Sequence, residues 1–253
     1  MNSETRLALD AINRRFYGDR DRAGEFAATR DHPWPGWERI AATLPAAPAS
    51  VLDLGCGNGR FAHFLGQRFP GPIAYRGVDF SDALLEAARA RNPGPGMRFT
   101  RAELADPAAL PTGPFALIAV FGVLHHVPGV EARRRLLVSL AERLTPDGRL
   151  ALAVWRFGTF ERFRRRVLPW EEYNAGTDRP VDLGQLEPGD HLLRWGADPE
   201  GGPLRYCHFT DDAELDALLR ALPLTVDLDF ESDGRSGRTN RYLLLGSQRR
   251  DGS

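Results

Sequence analysis

The segment from Val51 to Arg60, VLDLGCGNGR, constrains the fold of this chain more than any other. Its apolar start is typical of a buried strand, and glycines at alternate positions then permit a tight turn into a helix. Glycine also lets a ligand approach the main chain closely. A nicotinamide-binding loop reads G-x-G-x-x-G, whereas here the third glycine, Gly59, comes one residue earlier and Asp53 precedes the loop. The segment therefore predicts a strand, a ligand-binding loop and a helix.

Strands and helices alternate along much of the chain. The predicted strands are 51–54, 74–80, 97–102, 115–124 and 149–155, and the predicted helices are 5–17, 59–69, 82–92, 130–144 and 211–222. This alternation predicts an α/β fold with an open, mostly parallel sheet and right-handed crossovers. Two later runs, LTVDLDF and NRYLLLGS, are typical of a closing antiparallel pair.

The alternation of strands and helices stops between residues 156 and 209, which are rich in Arg, Pro and Gly. We therefore divide the chain into four parts: an N-terminal cap helix and lid (1–48), a Rossmann-like core (49–155), an inserted substrate-cap segment (156–209) and a C-terminal completion of the core sheet (210–253).

The charge, the apolar runs and the cysteine content of the chain argue against several functional classes. The 253 residues carry a net charge of −1, so there is no global basic field to attract nucleic acid. No apolar run is long enough to span a membrane and the first residues lack an apolar signal core, so we expect a cytoplasmic protein. The two cysteines, Cys56 and Cys207, lie far apart and predict free thiols rather than a zinc or iron–sulfur site.

The glycine loop resembles the first motif of the class I S-adenosylmethionine-dependent methyltransferases. The resemblance implies a mostly parallel seven-stranded sheet with an antiparallel last strand, and S-adenosyl-L-methionine as cofactor. Asp53 would bind its ammonium group, Asp79 its ribose hydroxyls and Glu103 its adenine amino group. The full set of implied cofactor-binding residues is Asp53, Gly55, Cys56, Gly57, Gly59, Asp79, Phe80, Glu103, Leu104 and Phe121. One departure is Phe115-Ala116, where the superfamily often has Phe-Asp.

Patches outside this motif resemble the tRNA methyltransferases that esterify the carboxymethyl group of a wobble uridine. They are FAATRDHPWPGW (26–37), VLHHVP (123–128), PGDHLLRWG (188–196), LRYCHFTDDAEL (204–215) and SGRTNRYLLLG (236–246). The resemblance implies tRNA as a partner, and eukaryotic relatives also work with a small protein partner. The implied substrate-binding residues are Arg30, Trp34, Arg205, Tyr206 and His208. Pro33 and Pro35 would fix the path of a cap over the cofactor mouth.

The candidate catalytic residues are Arg30, His125 and His126. If the fourth strand remains extended, the two histidines point to opposite sides, which disfavours a shared metal, and one of them faces the methyl group. A carboxylate acceptor is ionised at neutral pH, with a pKa near ~4, and needs orientation rather than a strong base. Arginine suits that role through bidentate hydrogen bonds.

Three functions remain open at this point. The first is methylation of a modified tRNA uridine, for which the clusters Arg133–Arg135 and Arg162–Arg166, the second interleaved with aromatic residues, would grip phosphates. The alternative interpretation of these clusters is a solvated helical face. The second function is methylation of a small carboxylate or phenol, with the insertion as a lid. The third is a non-catalytic scaffold that binds the cofactor.

Overall fold

The computed structural model describes residues 1–21, 24–25, 32–44, 46–196, 198 and 201–247. Arg30, predicted to be both catalytic and substrate-binding, lies outside the described residues, as does most of the predicted lid before His32. Trp34 is among the described residues. In the described part of the chain, no helix has both the length and the apolar character needed to cross a bilayer.

The elements follow the predicted order. The helices are α1 Ser3–Tyr17, α2 Pro35–Thr43, α3 Arg60–Arg68, α4 Asp82–Arg91, α5 Val130–Ala141, α6 Glu161–Arg164, α7 Trp170–Ala175 and α8 Asp212–Arg220. The strands are β1 Ser50–Leu54, β2 Ala74–Asp79, β3 Met97–Arg101, β4 Phe115–Phe121, β5 Leu144–Trp155, β6 Val167–Leu168, β7 Asp190–Arg194, β8 Leu204–His208, β9 Thr225–Ser232 and β10 Asn240–Gly246.

Seven strands form the main sheet, in the order β3-β2-β1-β4-β5-β10-β9. Neighbours from β3 to β5 pair in parallel, whereas β10 is antiparallel to both β5 and β9. This confirms the predicted α/β fold and its antiparallel last strand. Leu54 lies opposite both Val78 and Val120, so the loops after β1, β2 and β4 emerge at one edge of the sheet. Open α/β sheets bind ligands at that edge.

Apolar side chains cover both faces of the sheet, because successive strand residues point to opposite sides. On β5, Leu150 and Leu152 pack in the cluster that includes residues of α5 and α8. Ala151 and Ala153 face the cluster that includes residues of α2, α3 and α4. The predicted central strand is buried on both faces, as its apolar run indicates.

Three element boundaries differ from the prediction. The fourth strand ends at Phe121, and Leu124–His126 form a 3₁₀ turn rather than continuing the strand. Helix α5 ends at Ala141, and β5 begins at Leu144, before the predicted turn at Thr145–Gly148. The irregular register between Phe115 and Leu117 accommodates this segment beside β4.

The insertion carries a second, three-stranded antiparallel sheet in the order β6-β7-β8. Leu9 and Ile12 of α1 pack with Leu192 and Tyr206 of this sheet. The sequence did not predict these strands, because β6 has only two residues and β7 and β8 have five each. Strands this short are stabilised by tertiary packing more than by their own periodicity.

Candidate active site

A cavity of about 1020 Å³ opens at the edge of the main sheet where β1, β2 and β4 end. Residues of the glycine loop line one end of it, and residues of the insertion, including Arg194 and Arg205, line another part. Trp34 and Tyr17, from the N-terminal segment, also line the cavity. The core and the two predicted cap segments therefore meet around one ligand-sized space.

The glycine loop has the backbone conformation that its sequence predicts. Gly55, Gly57 and Gly59 all adopt positive φ, at 69°, 53° and 73°. A Cβ at Gly55 would lie 2.5 Å from the Val123 side chain, so only glycine fits there without a shift. The backbone N–H groups of Gly55 and Cys56 both donate to the Val78 carbonyl, at 2.8 and 3.0 Å. These bonds hold the loop against the end of β2, beside the cavity.

Asp79 ends β2 and holds the loop from the other side. Its carboxylate accepts hydrogen bonds from the backbone N–H groups of Gly57 and Ser81, both at 3.0 Å. Burial raises the pKa of Asp79, and these two backbone donors partly oppose that effect. Asp79 lines the cavity, which fits its predicted role as an acceptor for ribose hydroxyls.

Asp53 is the second buried carboxylate at this end of the cavity. The Tyr75 hydroxyl donates to it, and burial raises the pKa of Asp53 to about 7. A cationic ligand group would favour the ionised form, because an opposite charge nearby lowers a carboxyl pKa. The environment of Asp53 therefore fits the predicted contact to an ammonium group.

Most of the other predicted cofactor-binding residues also line the cavity. They are Gly55, Cys56, Gly57, Phe80, Leu104 and Phe121. Gly59 and Glu103 are absent from the described lining, and Arg14 of α1 donates two hydrogen bonds of 2.7 Å to the Glu103 carboxylate. This half-exposed ion pair leaves further acceptor sites on the Glu103 carboxylate, so its predicted contact to adenine stays a prediction.

The predicted geometry of the histidine pair is wrong. Because Leu124–His126 form a 3₁₀ turn, the two rings lie side by side, with centroids 4.0 Å apart, and both line the cavity. Nitrogen atoms of both rings and Cys207 Sγ lie within 4.8 Å of one another, a set of groups that could hold a metal ion. The structural reason for disfavouring a shared metal therefore does not hold.

Tyr17 is a cavity residue that the sequence analysis missed. Its hydroxyl lies 2.8 Å from His126 Nε2 and accepts a hydrogen bond from Arg205 Nη1 at 3.3 Å. His126 Nδ1 lies 3.1 Å from the Tyr206 carbonyl on β8. The available signal was a tyrosine at the last position of an amphipathic helix, but its spatial neighbours are far away in the sequence.

Arg205 reaches the cavity from β8, as predicted. Its side chain is buried, and its guanidinium carbon lies 5.0 Å from the centre of the Trp155 ring. Its Nε has no hydrogen-bond partner among the described residues. Because a buried cation with unmet donors is costly, this arrangement favours an anionic ligand group in the cavity.

The two tryptophans of the N-terminal segment divide their roles. Trp37 is buried in the core against Phe61, Phe64 and Phe121. Trp34 is half-buried and lines the cavity, 5.4 Å from the Trp37 ring. This position fits the predicted role of Trp34 in substrate binding and shows that Trp37 pins the segment to the sheet.

Tyr206 and His208 do not line the described cavity, contrary to the prediction. The Tyr206 hydroxyl donates to Asp190 at 2.7 Å, and the His208 ring bridges Asp190 and Glu214, at 2.7 Å to each. Side chains alternate along a strand, so on β8 these two point away from Arg205. The carboxylates raise the pKa of His208 against the effect of its burial.

One of the predicted basic clusters, residues 133–135, is only partly at the surface. Arg133 is fully buried and donates to Glu214 at 2.8 Å, Glu187 at 2.6 Å and the Val127 carbonyl at 2.8 Å. Its neighbour Arg134 pairs with Glu131 on the same helix. The prediction that residues 133–135 grip phosphates is therefore wrong for Arg133, which instead joins α5 to the insertion and α8.

The second basic cluster is split between surface and cavity. Arg162 and Arg166 line the cavity, whereas Arg165 pairs with Glu161 at 2.6 Å. Arg166 donates to the Gly196 carbonyl at 2.6 Å. Part of the predicted nucleic-acid surface therefore belongs to the wall of the candidate active site.

A family model described as a methyltransferase domain matches residues 51–148. A trans-aconitate 2-methyltransferase of Streptomyces coelicolor is 32% identical over 220 residues, which cover 80% of this chain and 70% of that protein. The tRNA (carboxymethyluridine(34)-5-O)-methyltransferase of Macaca fascicularis is 29% identical over 198 residues, covering 71% of this chain and 28% of that protein. The chain spans only 44% of the trans-aconitate 2-methyltransferase of an Acidovorax strain, at 37% identity over 124 residues.

The solved structures support the same fold. The 1,6-didemethyltoxoflavin-N1-methyltransferase of Burkholderia thailandensis, solved with S-adenosylhomocysteine, has a TM-score of 0.63 and 18% identity, and the match covers 97% of this chain and 90% of that one. At this level of identity the likeness concerns the fold.

Proposed function

This chain belongs to the class I S-adenosylmethionine-dependent methyltransferases, and on that premise we propose that it methylates a carboxylate of a small organic acid. The observation that carries the proposal is that four arginines of the insertion line the same cavity as the two buried carboxylates assigned to the donor; Arg60 and Asp233 line it as well. Two buried carboxylates, Asp53 and Asp79, line the end formed by the core. The insertion contributes arginines to the lining: Arg162, Arg166, Arg194 and Arg205.

The chemistry suits these two sets of residues. The methyl donor is a sulfonium that carries an ammonium group and a ribose. Protein carboxylates can accept hydrogen bonds from both of these groups. A substrate carboxylate that accepts the methyl group needs cationic hydrogen-bond donors, which orient it and balance its charge. In the reaction a carboxylate oxygen forms a bond to the methyl carbon as the carbon–sulfur bond breaks. The products are a methyl ester and S-adenosylhomocysteine, and no proton has to be removed.

The residues present fit the donor. The positive-φ glycine loop provides backbone that a ligand can approach, and the buried carboxylate of Asp79 lies at the end of the next strand. Asp53, buried beside them, would hold the ammonium group. Bound there, the donor supplies an already activated methyl group. Trp34 and Phe121 would help to exclude water from this space.

The relatives support a carboxylate acceptor. Trans-aconitate, in the name of the Streptomyces relative, is a carboxylic acid, and that match covers more than two thirds of both chains. We therefore propose a small di- or tricarboxylate as the first substrate class to test.

A carboxymethyluridine of tRNA is the second candidate. The Macaca relative acts on such a nucleoside by name, and it matches 71% of this chain. The same arginines would then receive the carboxymethyl group, with tRNA, and a small protein as in the eukaryotic relatives, as partners. Against this candidate, Arg133 is buried and the exposed Arg134 and Arg165 pair with glutamates, which reduces the predicted phosphate-binding surface.

A labelling experiment separates these candidates. The full chain is incubated with methyl-labelled S-adenosylmethionine and, separately, with trans-aconitate, other di- and tricarboxylates, a phenol and tRNA that carries carboxymethyluridine. We expect base-labile label on a carboxylic acid, because methyl esters release methanol in base, and we expect it to survive ribonuclease. Label in tRNA would favour the second candidate. Label on the phenol alone, or donor binding without any transfer, would contradict the proposal.

A further inference from the structure

Tyr17 touches both halves of the candidate active site. It is the last residue of α1, and its side chain is buried. Its backbone and ring contact the segment that follows β2, whereas its hydroxyl contacts residues at the arginine-lined end of the cavity. A single residue thus connects the two regions that the proposed reaction must align.

The contacts on the donor side come directly after Asp79. Ser81 Oγ donates to the Tyr17 carbonyl at 2.9 Å, and this hydrogen bond is buried. The Tyr17 ring packs edge-on against Phe80, with ring centroids 5.8 Å apart. Because Ser81 also donates its backbone N–H to Asp79, a ligand held by Asp79 and Phe80 would stabilise the position of Tyr17.

The contacts on the acceptor side involve the hydroxyl. It lies 2.8 Å from His126 Nε2, and Arg205 Nη1 donates to it at 3.3 Å. Both partners line the cavity. Arg205 Nε has no partner among the described residues, so the guanidinium is oriented by the hydrogen bond to Tyr17 together with the Phe16 and Trp155 rings, whose centres lie 5.9 and 5.0 Å from its carbon. Displacing Tyr17 would therefore also displace the group that we expect to bind the carboxylate.

We propose that Tyr17 is a positioning residue that couples donor binding to acceptor recognition. A bound donor fixes Tyr17 through Phe80 and Ser81, and Tyr17 then holds Arg205 and His126 ready for the acceptor. Binding of either ligand orders these side chains and loses their conformational entropy. The other ligand then binds to side chains that are already ordered, and therefore binds more tightly. By thermodynamic linkage the effect is reciprocal. The acceptor part of this inference rests on the proposed function.

Calorimetry with two probes tests the coupling. The affinity of the full chain for trans-aconitate is measured with and without saturating S-adenosylhomocysteine, for the wild type, Tyr17→Phe and the control Tyr173→Phe. Tyr173 lies on α7, outside the described cavity lining. We expect S-adenosylhomocysteine to tighten trans-aconitate binding about fivefold or more in the wild type and the control, and by less than about twofold in Tyr17→Phe. Equal coupling in all three proteins would overturn the proposal.

A second readout does not depend on the acceptor. In histidine ¹H–¹⁵N spectra, S-adenosylhomocysteine should shift the His126 ring signals of the wild type and of Tyr173→Phe. In Tyr17→Phe most of that shift should be lost, although S-adenosylhomocysteine still binds within about threefold of its wild-type affinity. If trans-aconitate fails to bind, only the proposed acceptor fails, and this spectrum decides on Tyr17. An unchanged His126 shift in Tyr17→Phe would refute the coupling.

Discussion

Arg133 and Arg205 are both buried, but they differ in what surrounds them. Arg133 is 0% exposed and donates to two glutamates and a backbone carbonyl. Arg205 is 6% exposed, donates to a neutral phenol, and leaves its Nε without a partner among the described residues. Burial alone therefore does not mark a functional arginine. The protein's own glutamates balance the charge of Arg133. In our proposal, a carboxylate of the substrate balances the charge of Arg205.

The same contrast separates the two ends of the cavity. The donor end is built from residues close together in sequence, between β1 and β4, and much of it is backbone. The acceptor end combines Tyr17, His126 and Arg205, which are remote in sequence and meet only through tertiary packing. The two ends, and the two buried arginines, should therefore respond differently to substitution.

The largest effect should come from Arg133→Met. This variant removes the guanidinium and leaves the half-buried carboxylates of Glu187 and Glu214 without their arginine partner. Breaking one side of a buried ion pair costs about 3–5 kcal/mol of the free energy of unfolding. Urea unfolding followed by circular dichroism measures this change. Arg205→Met, which leaves no described carboxylate unpaired, should change the same free energy by less than about 1 kcal/mol. Similar losses in both variants would remove the distinction between the two arginines.

The next effect concerns turnover. Arg205→Met should lower kcat/KM for the carboxylate acceptor about 100-fold, since hydrogen bonds to charged groups contribute about 1.5–3 kcal/mol each. The affinity for S-adenosylhomocysteine should stay within about threefold of the wild type. The matched control is Arg164→Met, an exposed arginine outside the described lining, with expected wild-type kinetics. A parallel loss of donor affinity in Arg205→Met would place this residue on the donor instead.

Asp79→Ala tests the donor end. We expect it to weaken S-adenosylhomocysteine binding by about 1–3 kcal/mol, because hydrogen bonds to the ribose hydroxyls and the support of the Gly57 N–H are lost. Calorimetry of this variant is compared with Asp82→Ala, which removes an exposed carboxylate that pairs with Arg101. Unchanged affinity in Asp79→Ala would refute the ribose assignment.

The smallest effect is a pH dependence. Burial raises the pKa of Asp53 to about 7, so a growing fraction of this carboxyl is neutral as the pH falls below that value. A neutral carboxyl attracts the donor's ammonium group less, and S-adenosylhomocysteine should therefore bind about tenfold more weakly at pH 6 than at pH 8. In Asp53→Asn the dependence should be flat and the affinity uniformly low. The same slope in that variant would assign the titration to another group.

The sequence predicted the donor end well because its signals are local. The glycine spacing favours a tight turn, which the structure forms with positive φ at three positions, and the apolar runs identify the strands that carry Asp53 and Asp79 to one edge. The parallel direction of the main strands follows from the same alternation, whereas their order in the sheet was not predicted. Glu103 and Gly59 depart from the expected placement, since neither lines the cavity in the described part of the chain, and Arg14 on a distant helix pairs with the Glu103 carboxylate.

The acceptor end was harder to predict because its contacts are long-range. Whether Arg205 or Tyr206 faces the cavity depends on the register of β8 in a sheet that the sequence did not reveal. Tyr17 becomes a site residue only when α1 packs on that sheet. The placement of His125 and His126 depended on where β4 ends, and a 3₁₀ turn reversed the expected geometry. Arg133 looked like part of a basic surface because its glutamate partners lie more than 50 residues away.

A crystal structure of the full chain with S-adenosylhomocysteine and trans-aconitate would test the separation of the two ends most directly. We expect the ribose hydroxyls beside Asp79, the amino group beside Asp53 and a carboxylate of trans-aconitate against the Arg205 guanidinium, with the donor sulfur between the two ends. A carboxylate bound elsewhere while Arg205 Nε stays without a partner, or a donor lying among the arginines, would contradict the division of the cavity.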